Sequence, residues 1–133
     1  MGGESRAVVV GLSDADAQRT EVIRAIMRAG GGETCSDVRR FLLVVQRVSP
    51  SCVVLGTTDP RGESTAPLVG RLVRDRPRVG IVAVCDTTPA SIQALVHLAR
   101  AGVDDVLLTS MATRSEWSAT IDRACARRWA MSD

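Results

Sequence analysis

Three features of the sequence predict an α/β fold with a parallel sheet. Five short apolar segments alternate with five segments of helical periodicity, which is the pattern of repeated βα units. The apolar segments are continuous rather than alternating with polar residues, as is typical of parallel strands buried on both faces. The chain has 133 residues with no internal repeat or linker, so we expect one domain over residues 1–133, with its core at about 6–130.

The five predicted strands can be placed from these apolar segments. They are Ala7–Leu12, the weak segment Glu33–Ser36, Ser51–Leu55, Val79–Cys85 and Asp104–Leu108. Right-handed connections between such units favour the strand order 2-1-3-4-5. The expected architecture is therefore a flavodoxin-like (βα)5 three-layer sandwich around a five-stranded parallel sheet.

A helix is predicted after each strand, because a residue suited to capping precedes each periodic segment. The expected caps are Ser13 or Asp14, Ser36 or Asp37, Ser64 or Thr65, Thr88 before Pro89, and Thr113 in a capping box with Glu116. The spacing of the apolar residues predicts which side of each helix faces the sheet. The expected inward residues are Val22, Ile23, Ile26 and Met27 in the first helix, Leu68, Leu72 and Val73 in the third, Ile92, Leu95, Val96 and Ala99 in the fourth, and Trp117, Ile121 and Cys125 in the fifth.

The composition excludes several classes of function. All 17 basic residues are arginine, so no mechanism that needs a lysine ammonium is open to this chain. The net charge of +2 is too small to indicate nucleic-acid binding by this segment. No apolar run reaches the roughly 18 residues that a membrane span requires, and residues 1–6 do not resemble a signal peptide. We therefore expect a cytoplasmic location and no membrane partner.

The cysteines and the single histidine do not predict a metal site. Cys35, Cys52, Cys85 and Cys125 are far apart in the sequence, and no CxxC pair occurs. Cys52 and Cys85 fall within predicted core strands, where cysteine behaves as a small apolar residue. His97 falls between inward positions of the fourth helix and is expected to face solvent. We expect neither a metal ion nor another cofactor.

Two segments resemble the receiver domain of two-component response regulators. The first is ALVHLARAGVDDVLL (residues 94–108), which is similar to the helix, Ala-Gly turn, Asp-Asp pair and fifth strand of that family. The second is SPSCVVL (residues 49–55), which resembles the third strand, and Pro60 follows where a proline is common after the phosphoacceptor turn. The resemblance covers roughly residues 6–130 and implies the same fold.

The resemblance also implies where phosphoryl chemistry would take place. Receiver domains use an aspartate after the third strand, two acidic residues after the first that hold Mg²⁺, a hydroxyl after the fourth and a lysine after the fifth. Strand-by-strand alignment places Gly56 at the acceptor, Gly11 and Leu12 at the acidic pair, Val84 or Cys85 at the hydroxyl and Thr109 at the lysine. The expectation is a degenerate receiver that is not an enzyme and works without phosphorylation.

An alternative is that the acidic chemistry has moved to other residues. Asp14 and Asp59 lie three residues beyond the expected acidic and acceptor positions, and Asp86 follows the fourth strand. Three carboxylates at one edge of the sheet could hold a metal ion. In the purely structural interpretation, Asp14 caps a helix, Asp59 and Pro60 form a turn, and Asp86 ends a strand.

The leading functional hypothesis is a receiver-like signalling module that acts through protein–protein contact. In the receiver family, the face formed by the fourth helix, fifth strand and fifth helix mediates dimerisation. Here that face would include His97, Arg100, Asp104, Arg114 and Arg123. Since such domains commonly precede a DNA-binding effector, the chain is expected to be the N-terminal part of a bacterial transcriptional regulator.

Two other hypotheses remain open. The chain could be a small-molecule sensor with its pocket at the carboxyl edge of the sheet, where Gly11 and Gly56 leave room. It could also be a small enzyme built on relocated carboxylates, although the sequence offers no placed nucleophile, base or cofactor loop. A saturable, ligand-dependent rise in melting temperature would favour the sensor.

Overall fold

Strands and helices alternate along residues 8–132, which are the residues that this computed structural model describes. The strands are β1 (Val9–Leu12), β2 (Glu33–Cys35), β3 (Cys52–Gly56), β4 (Gly80–Cys85) and β5 (Asp105–Leu108). The helices are α1 (Ala17–Gly30), α2 (Val38–Val48), α3 (Ala66–Asp75), α4 (Pro89–Ala101) and α5 (Arg114–Ser132), and a 3₁₀ turn, Thr109–Met111, follows β5. Ala7, the predicted start of the first strand, lies outside the described residues, as does residue 6 of the predicted core.

The sheet has the topology that the sequence predicts. Its strands are parallel and lie in the order β2-β1-β3-β4-β5. Gly11 of β1 pairs with Val54 of β3, and Gly56 at the end of β3 pairs with Val84 of β4. The predicted flavodoxin-like fold is confirmed, and its carboxyl edge brings together the ends of β1, β3, β4 and β5.

The two faces of the sheet carry separate apolar cores, because successive strand residues point to opposite faces. Cys52 and Val54 pack with α1 and α5, while Val53 and Leu55 pack with α2, α3 and α4. The helical residues at the first face include Ile23, Ile26, Met27 and Ala124, and those at the second include Phe41, Val44, Val69, Leu72 and Leu98. The core is therefore a three-layer sandwich in which most of β1, β3 and β4 is shielded from water.

The helix starts agree with the predicted caps in four cases and differ in one. Asp37, Thr88 and Thr113 accept hydrogen bonds from backbone N–H groups of the helices that follow them. The cap of α1 is Asp16, which accepts from the N–H of Arg19 at 2.9 Å, so the prediction of Ser13 or Asp14 is wrong. For α3, Thr65 is the N-cap residue, and the hydroxyl of Ser64 accepts from the N–H of Ala66 at 3.2 Å, although Thr65 itself makes no side-chain cap bond.

The predicted inner face of α4 is also wrong. Ile92 and Val96 are 52% and 48% exposed, whereas Ser91 and Leu98 are buried. The Ser91 hydroxyl accepts a hydrogen bond from the backbone N–H of Asp86, which orients the first turn of the helix against the end of β4. Since α4 carries apolar residues on more than one side, periodicity could not identify the side that faces the sheet.

Helix α5 is held closely against the sheet. A side chain at Gly80 would approach the backbone of Ala124 and Cys125 to within 3.0–3.1 Å, so glycine permits the contact between α5 and β4. Near the amino ends of β4 and β5, the buried Arg128 guanidinium pairs with Asp104 at 2.9 Å. Among the described residues, no helix is both long and apolar enough to cross a membrane.

Candidate functional site

The candidate site lies at the carboxyl edge of the sheet, beyond Gly56. In parallel α/β sheets, binding groups commonly lie at this edge, outside the ends of the strands. Asp14 follows β1, Thr58 follows β3 and Asp86 follows β4, and Arg19 extends from the first turn of α1. These four side chains form one hydrogen-bonded network, called here the carboxyl-edge network.

Gly56 leaves a space that the Asp14 carboxylate fills. A Cβ atom at position 56 would overlap Asp14 Oδ2 and would lie 2.8 Å from Asp14 Cγ. The Asp14 side chain has no exposed surface. The position beyond β3 is therefore occupied by a carboxylate from the β1–α1 loop, and no side chain of β3 itself reaches it.

The Asp14 carboxylate is extensively hydrogen-bonded. Arg19 donates from Nε to Oδ2 at 2.7 Å and from Nη2 to Oδ1 at 3.0 Å, which is a bidentate ion pair. The backbone N–H of Asp16 donates to Oδ1 at 2.9 Å, and the Thr58 hydroxyl also donates to Oδ1. The Thr20 hydroxyl bonds to the Asp14 backbone at both N and O. These contacts fix the carboxylate in place and compensate for its burial.

Arg19 links Asp14 to the end of the neighbouring strand β4. Its Nη1 donates to Asp86 Oδ2 at 2.8 Å, and Asp86 Oδ1 accepts from the N–H and hydroxyl of Thr88. The bond with Asp14 raises the pKa of Arg19, with burial acting in the opposite direction, so the guanidinium stays charged. The Thr88 hydroxyl lowers the pKa of Asp86 most strongly, burial opposes it, and the Thr88 backbone N–H and then Arg19 lower the pKa further.

The arrangement of charges differs from that of a metal site. An arginine cation lies between two carboxylates, where its donors saturate the oxygens that a divalent cation would need. Within residues 8–132, no group of three or more His, Cys, Asp or Glu side chains is placed to hold a metal ion. The network can fix the geometry of the loops at this edge, but it presents no free nucleophile or base.

The structure corrects the alignment of the acidic pair. Gly11 lies in the middle of β1, where a side chain would collide with Ile23 and Met27 of α1. Leu12 has no exposed surface and packs in the core on the α2–α4 face. The residue whose carboxylate lies beside Gly56 is Asp14, because β1 ends two residues before it and the chain then turns towards β3.

The other aligned positions are found near the same edge. Val84 and Cys85 are the last two residues of β4 and are buried, with Val84 in the core beneath α1 and α5. Thr109 directly follows β5 and begins the 3₁₀ turn. No hydrogen bond of the Thr109 side chain to the carboxyl-edge network occurs among the described residues.

Asp59 does not join Asp14 and Asp86. Its carboxylate accepts from the backbone N–H groups of Arg61 and Glu63 at 2.8 and 3.1 Å, which makes it part of a local turn. The three carboxylates suggested as a relocated metal site therefore do not share one site. The structural interpretation of Asp59 as a turn residue agrees with these contacts.

The residues expected at the partner interface are not all accessible. His97, Arg100, Arg114 and Arg123 are exposed. Asp104 is buried, with a side-chain exposure of 4%, and it accepts from Arg128 and from the backbone N–H of Ile81. Placing Asp104 in the interface was wrong, because the carboxylate anchors α5 to the sheet instead of facing outward.

The buried cysteines behave as core residues. Burial raises the pKa of Cys35 to about 11 and also raises the pKa of Cys85. Both thiols therefore stay protonated at neutral pH, and protonated thiols are poor nucleophiles and poor metal ligands.

Arg19 and Thr58 are functional-site residues that the sequence did not indicate. Arg19 lies five residues after Asp14, and only its position within α1 turns it towards the end of β1. Thr58 lies 44 residues from Asp14 and meets it through the pairing of β1 with β3. The only feature of the sequence that pointed towards Arg19 was the absence of lysine, because arginine was then the cation available for this edge of the sheet.

No protein-family model and no curated protein matches this sequence. Solved structures do match. A protein of Chloroflexus aurantiacus J-10-fl described as a response regulator has a TM-score of 0.72 at 17% identity, over 92% of this chain and 100% of its own. NtrX of Brucella abortus has a TM-score of 0.75 at 17% identity, over 96% of this chain and 28% of its own.

A third match is a DNA-binding response regulator of the LuxR family from Staphylococcus aureus. Its TM-score is 0.64 at 15% identity, over 90% of this chain and 98% of its own. These similarities establish that the chain has the fold of response-regulator receiver domains. They confirm the fold that the two short sequence segments implied.

Proposed function

We propose that this chain is a receiver-like signalling module that works without phosphorylation and acts through contact with other proteins. The observation that carries the proposal is the Asp14 carboxylate, which fills the space beside Gly56 where a receiver would carry its acceptor aspartate. With glycine at that position, β3 offers no oxygen to a phosphoryl group. We propose accordingly that the chain is not an enzyme.

The carboxyl-edge network supports this proposal in a second way. Phosphoryl transfer to a receiver needs Mg²⁺ beside the acceptor, and a metal ion would have to displace Arg19 from Asp14. Metal entry is opposed because it would separate the Arg19 guanidinium from the carboxylate with which it forms a buried, bidentate pair. The side chains of Asp14 and Arg19 also leave no room for a small-molecule pocket at this edge, since a ligand would have to displace both of them.

Self-association is proposed through the face formed by α4, β5 and α5. Ile92 and Val96 of α4 are exposed there, and His97 and Arg100 lie beside them. Apolar residues surrounded by charged ones are typical of protein contact surfaces. Asp105 and Arg123 of this face already pair with each other at 2.7 Å.

A role in a cytoplasmic bacterial transcriptional regulator is proposed by analogy with the structural matches. The chain spans 28% of the length of NtrX, so in that protein the fold is one part of a longer regulator. The Staphylococcus aureus match is a DNA-binding response regulator. The net charge of +2 gives this chain itself little affinity for DNA, so DNA contact would be left to an additional domain.

The test is incubation of the protein with acetyl phosphate and Mg²⁺, followed by intact-mass analysis. We expect no phospho-adduct, whereas a receiver domain that carries the acceptor aspartate, treated in parallel, will show one. A stable adduct would contradict the proposal. If Asp14→Asn abolished that adduct, Asp14 would be the acceptor and the network an active phosphorylation site.

A further inference from the structure

A long groove lies between α2 and α3, outside the carboxyl-edge network. A cavity of about 830 Å³ is bounded by the first turns of α2, the loop after β3 and the middle of α3. A second cavity of about 400 Å³ shares Leu42, Gln46 and Arg71 with the first and continues along the two helices. We call the two together the α2–α3 groove. Its length follows that of α2, which has 11 residues.

Apolar side chains line one side of the groove. Leu42 is half-buried there, and Leu43 is 53% exposed. Pro60, from the loop after β3, also lines the cavity. A ligand that fills the groove would remove this apolar surface from water, which favours a partner with apolar residues of its own.

The charged residues of the groove are mainly cationic. Arg39 and Arg61 form no ion pair with any residue in the part of the chain that the structure describes. Arg71 has only an exposed pair with Asp75 at 3.6 Å. Asp37, the carboxylate at the open end, already accepts from the N–H of Arg40 as the cap of α2. The groove therefore offers guanidinium groups whose charge is not neutralised within the chain.

We propose that the α2–α3 groove binds an acidic, partly apolar peptide segment of a partner protein. This inference rests on the proposed function, which is contact with other proteins. It adds a second contact face, apart from that of α4, β5 and α5, and names the chemistry of the partner that binds there. Arginine guanidinium groups match carboxylates in charge and geometry, and the leucines match apolar side chains at helical spacing. An extended groove suits a peptide better than a compact molecule, and its apolar wall does not suit a nucleic-acid backbone.

The groove is connected to the carboxyl-edge network by a single loop. Pro60 and Arg61 line the groove, while Thr58 of the same loop bonds to Asp14. The turn between them is closed by hydrogen bonds from Arg61 and Glu63 to Asp59. A bound peptide would therefore contact the loop that the buried ion pair holds in position.

The test is selection from a phage-displayed library of random peptides of about 12 residues, long enough to span α2 at 1.5 Å per residue. The bait is the whole chain, and the selected peptides are then measured by fluorescence anisotropy. We expect enriched sequences with several Asp or Glu residues and interspersed Leu, Ile or Phe. The double variant Arg39→Glu with Arg61→Glu should weaken their binding at least about tenfold, because two exposed charges that line the groove are reversed.

The matched control combines Arg47→Glu on α2 with Arg74→Glu on α3, which changes the net charge equally outside the groove lining. It should weaken binding less than about threefold, by long-range attraction alone. The inference would be overturned if no peptide were enriched, if neutral or basic peptides were enriched, or if both double variants lost binding equally.

A dimer that dissociates more readily in the Arg39→Glu, Arg61→Glu variant would also overturn the inference, because a second copy of the chain would then cover the groove. A phospho-adduct in the mass assay with acetyl phosphate would contradict the proposed function. It would not by itself decide whether the groove binds acidic peptides.

Discussion

Two buried arginine–aspartate pairs lie at opposite edges of the sheet and differ in what surrounds them. Asp14 and Arg19 lie at the carboxyl edge, with side-chain exposures of 0% and 11%. Asp104 and Arg128 lie at the amino edge, with exposures of 4% and 6%. Both pairs are bidentate and equally shielded, so their chemistry is the same. The two pairs differ in the groups that connect them to the rest of the chain.

The amino-edge pair is completed by backbone groups of regular structure. Asp104 accepts from the N–H of Ile81 at 2.8 Å, and Arg128 donates to the carbonyl of Gly102 at 2.9 Å. The carboxyl-edge pair instead reaches a loop hydroxyl, Thr58, and a partly exposed carboxylate, Asp86. The comparison indicates that one pair fixes α5 to the sheet, whereas the other fixes the loops where a receiver would carry out its chemistry.

The largest effect is expected from Arg128→Met. The change leaves the Asp104 carboxylate buried without its cation, so the free energy of unfolding should fall by about 3–5 kcal/mol. Urea denaturation of wild type and variant measures the difference. Arg123→Met is the control, since it removes an exposed partner of Asp105 and should cost no more than about 1 kcal/mol. Equal losses would mean that Asp104 is compensated by its backbone bonds alone.

A smaller loss is expected from Gly56→Ala. The new methyl group must displace the Asp14 carboxylate, and overpacking of this kind typically costs about 1–3 kcal/mol. Gly70→Ala is the control, because a side chain there meets no neighbour within 4 Å and alanine favours the helix. In an Asp14→Ala background, the loss at position 56 should largely disappear. If it persists, contacts other than that with the Asp14 carboxylate select glycine at this position.

The smallest effect is expected from Asp86→Asn and depends on pH. Since the pKa of Asp86 is lowered from 3.8 in the folded state, its charge stabilises the fold above that value, and this contribution is lost as the pH falls through the folded pKa. Between pH 7 and pH 3, wild type should therefore lose more stability than the variant, by at most about 1 kcal/mol for this partly exposed group. Guanidinium chloride denaturation at both pH values measures the difference. A variant with the same pH dependence as wild type would show that the hydrogen bonds from Thr88 and Arg19 do not stabilise the Asp86 carboxylate in solution.

Most of the fold could be predicted because hydrophobic patterning and short-range signals agree. The five apolar segments fall within a residue or two of the observed strands, and the predicted cap Asp37 directly precedes α2. In α4, hydrophobic patterning does not identify the side that faces the sheet. The helix carries Ile92 and Val96 on one side and Leu95 and Leu98 on another, and the contact of Ser91 with Asp86 determines which side faces inward.

The candidate site was less predictable because its contacts connect distant elements. Gly56 could be located from the third strand and Pro60, since these are local features. The position of Asp14 could not, because the alignment did not account for the two residues between the end of β1 and the turn. Asp104 was misassigned for a similar reason: its partner Arg128 is 24 residues away, and no local pattern indicates burial of an aspartate at the start of a strand.

The permanent charge of the Arg19 guanidinium has a consequence for how long a signal from this module would last. An acyl phosphate that forms and hydrolyses gives a regulator its own clock, and the lifetime of that bond limits how long a signal persists. Arginine carries its charge at every physiological pH, so the ion pair beside Gly56 has no comparable cycle. If the module signals as proposed, its output would follow the number of copies in the cell and the supply of the partner that they contact. Ending the signal would then require loss of the partner, dilution by growth or degradation of the protein.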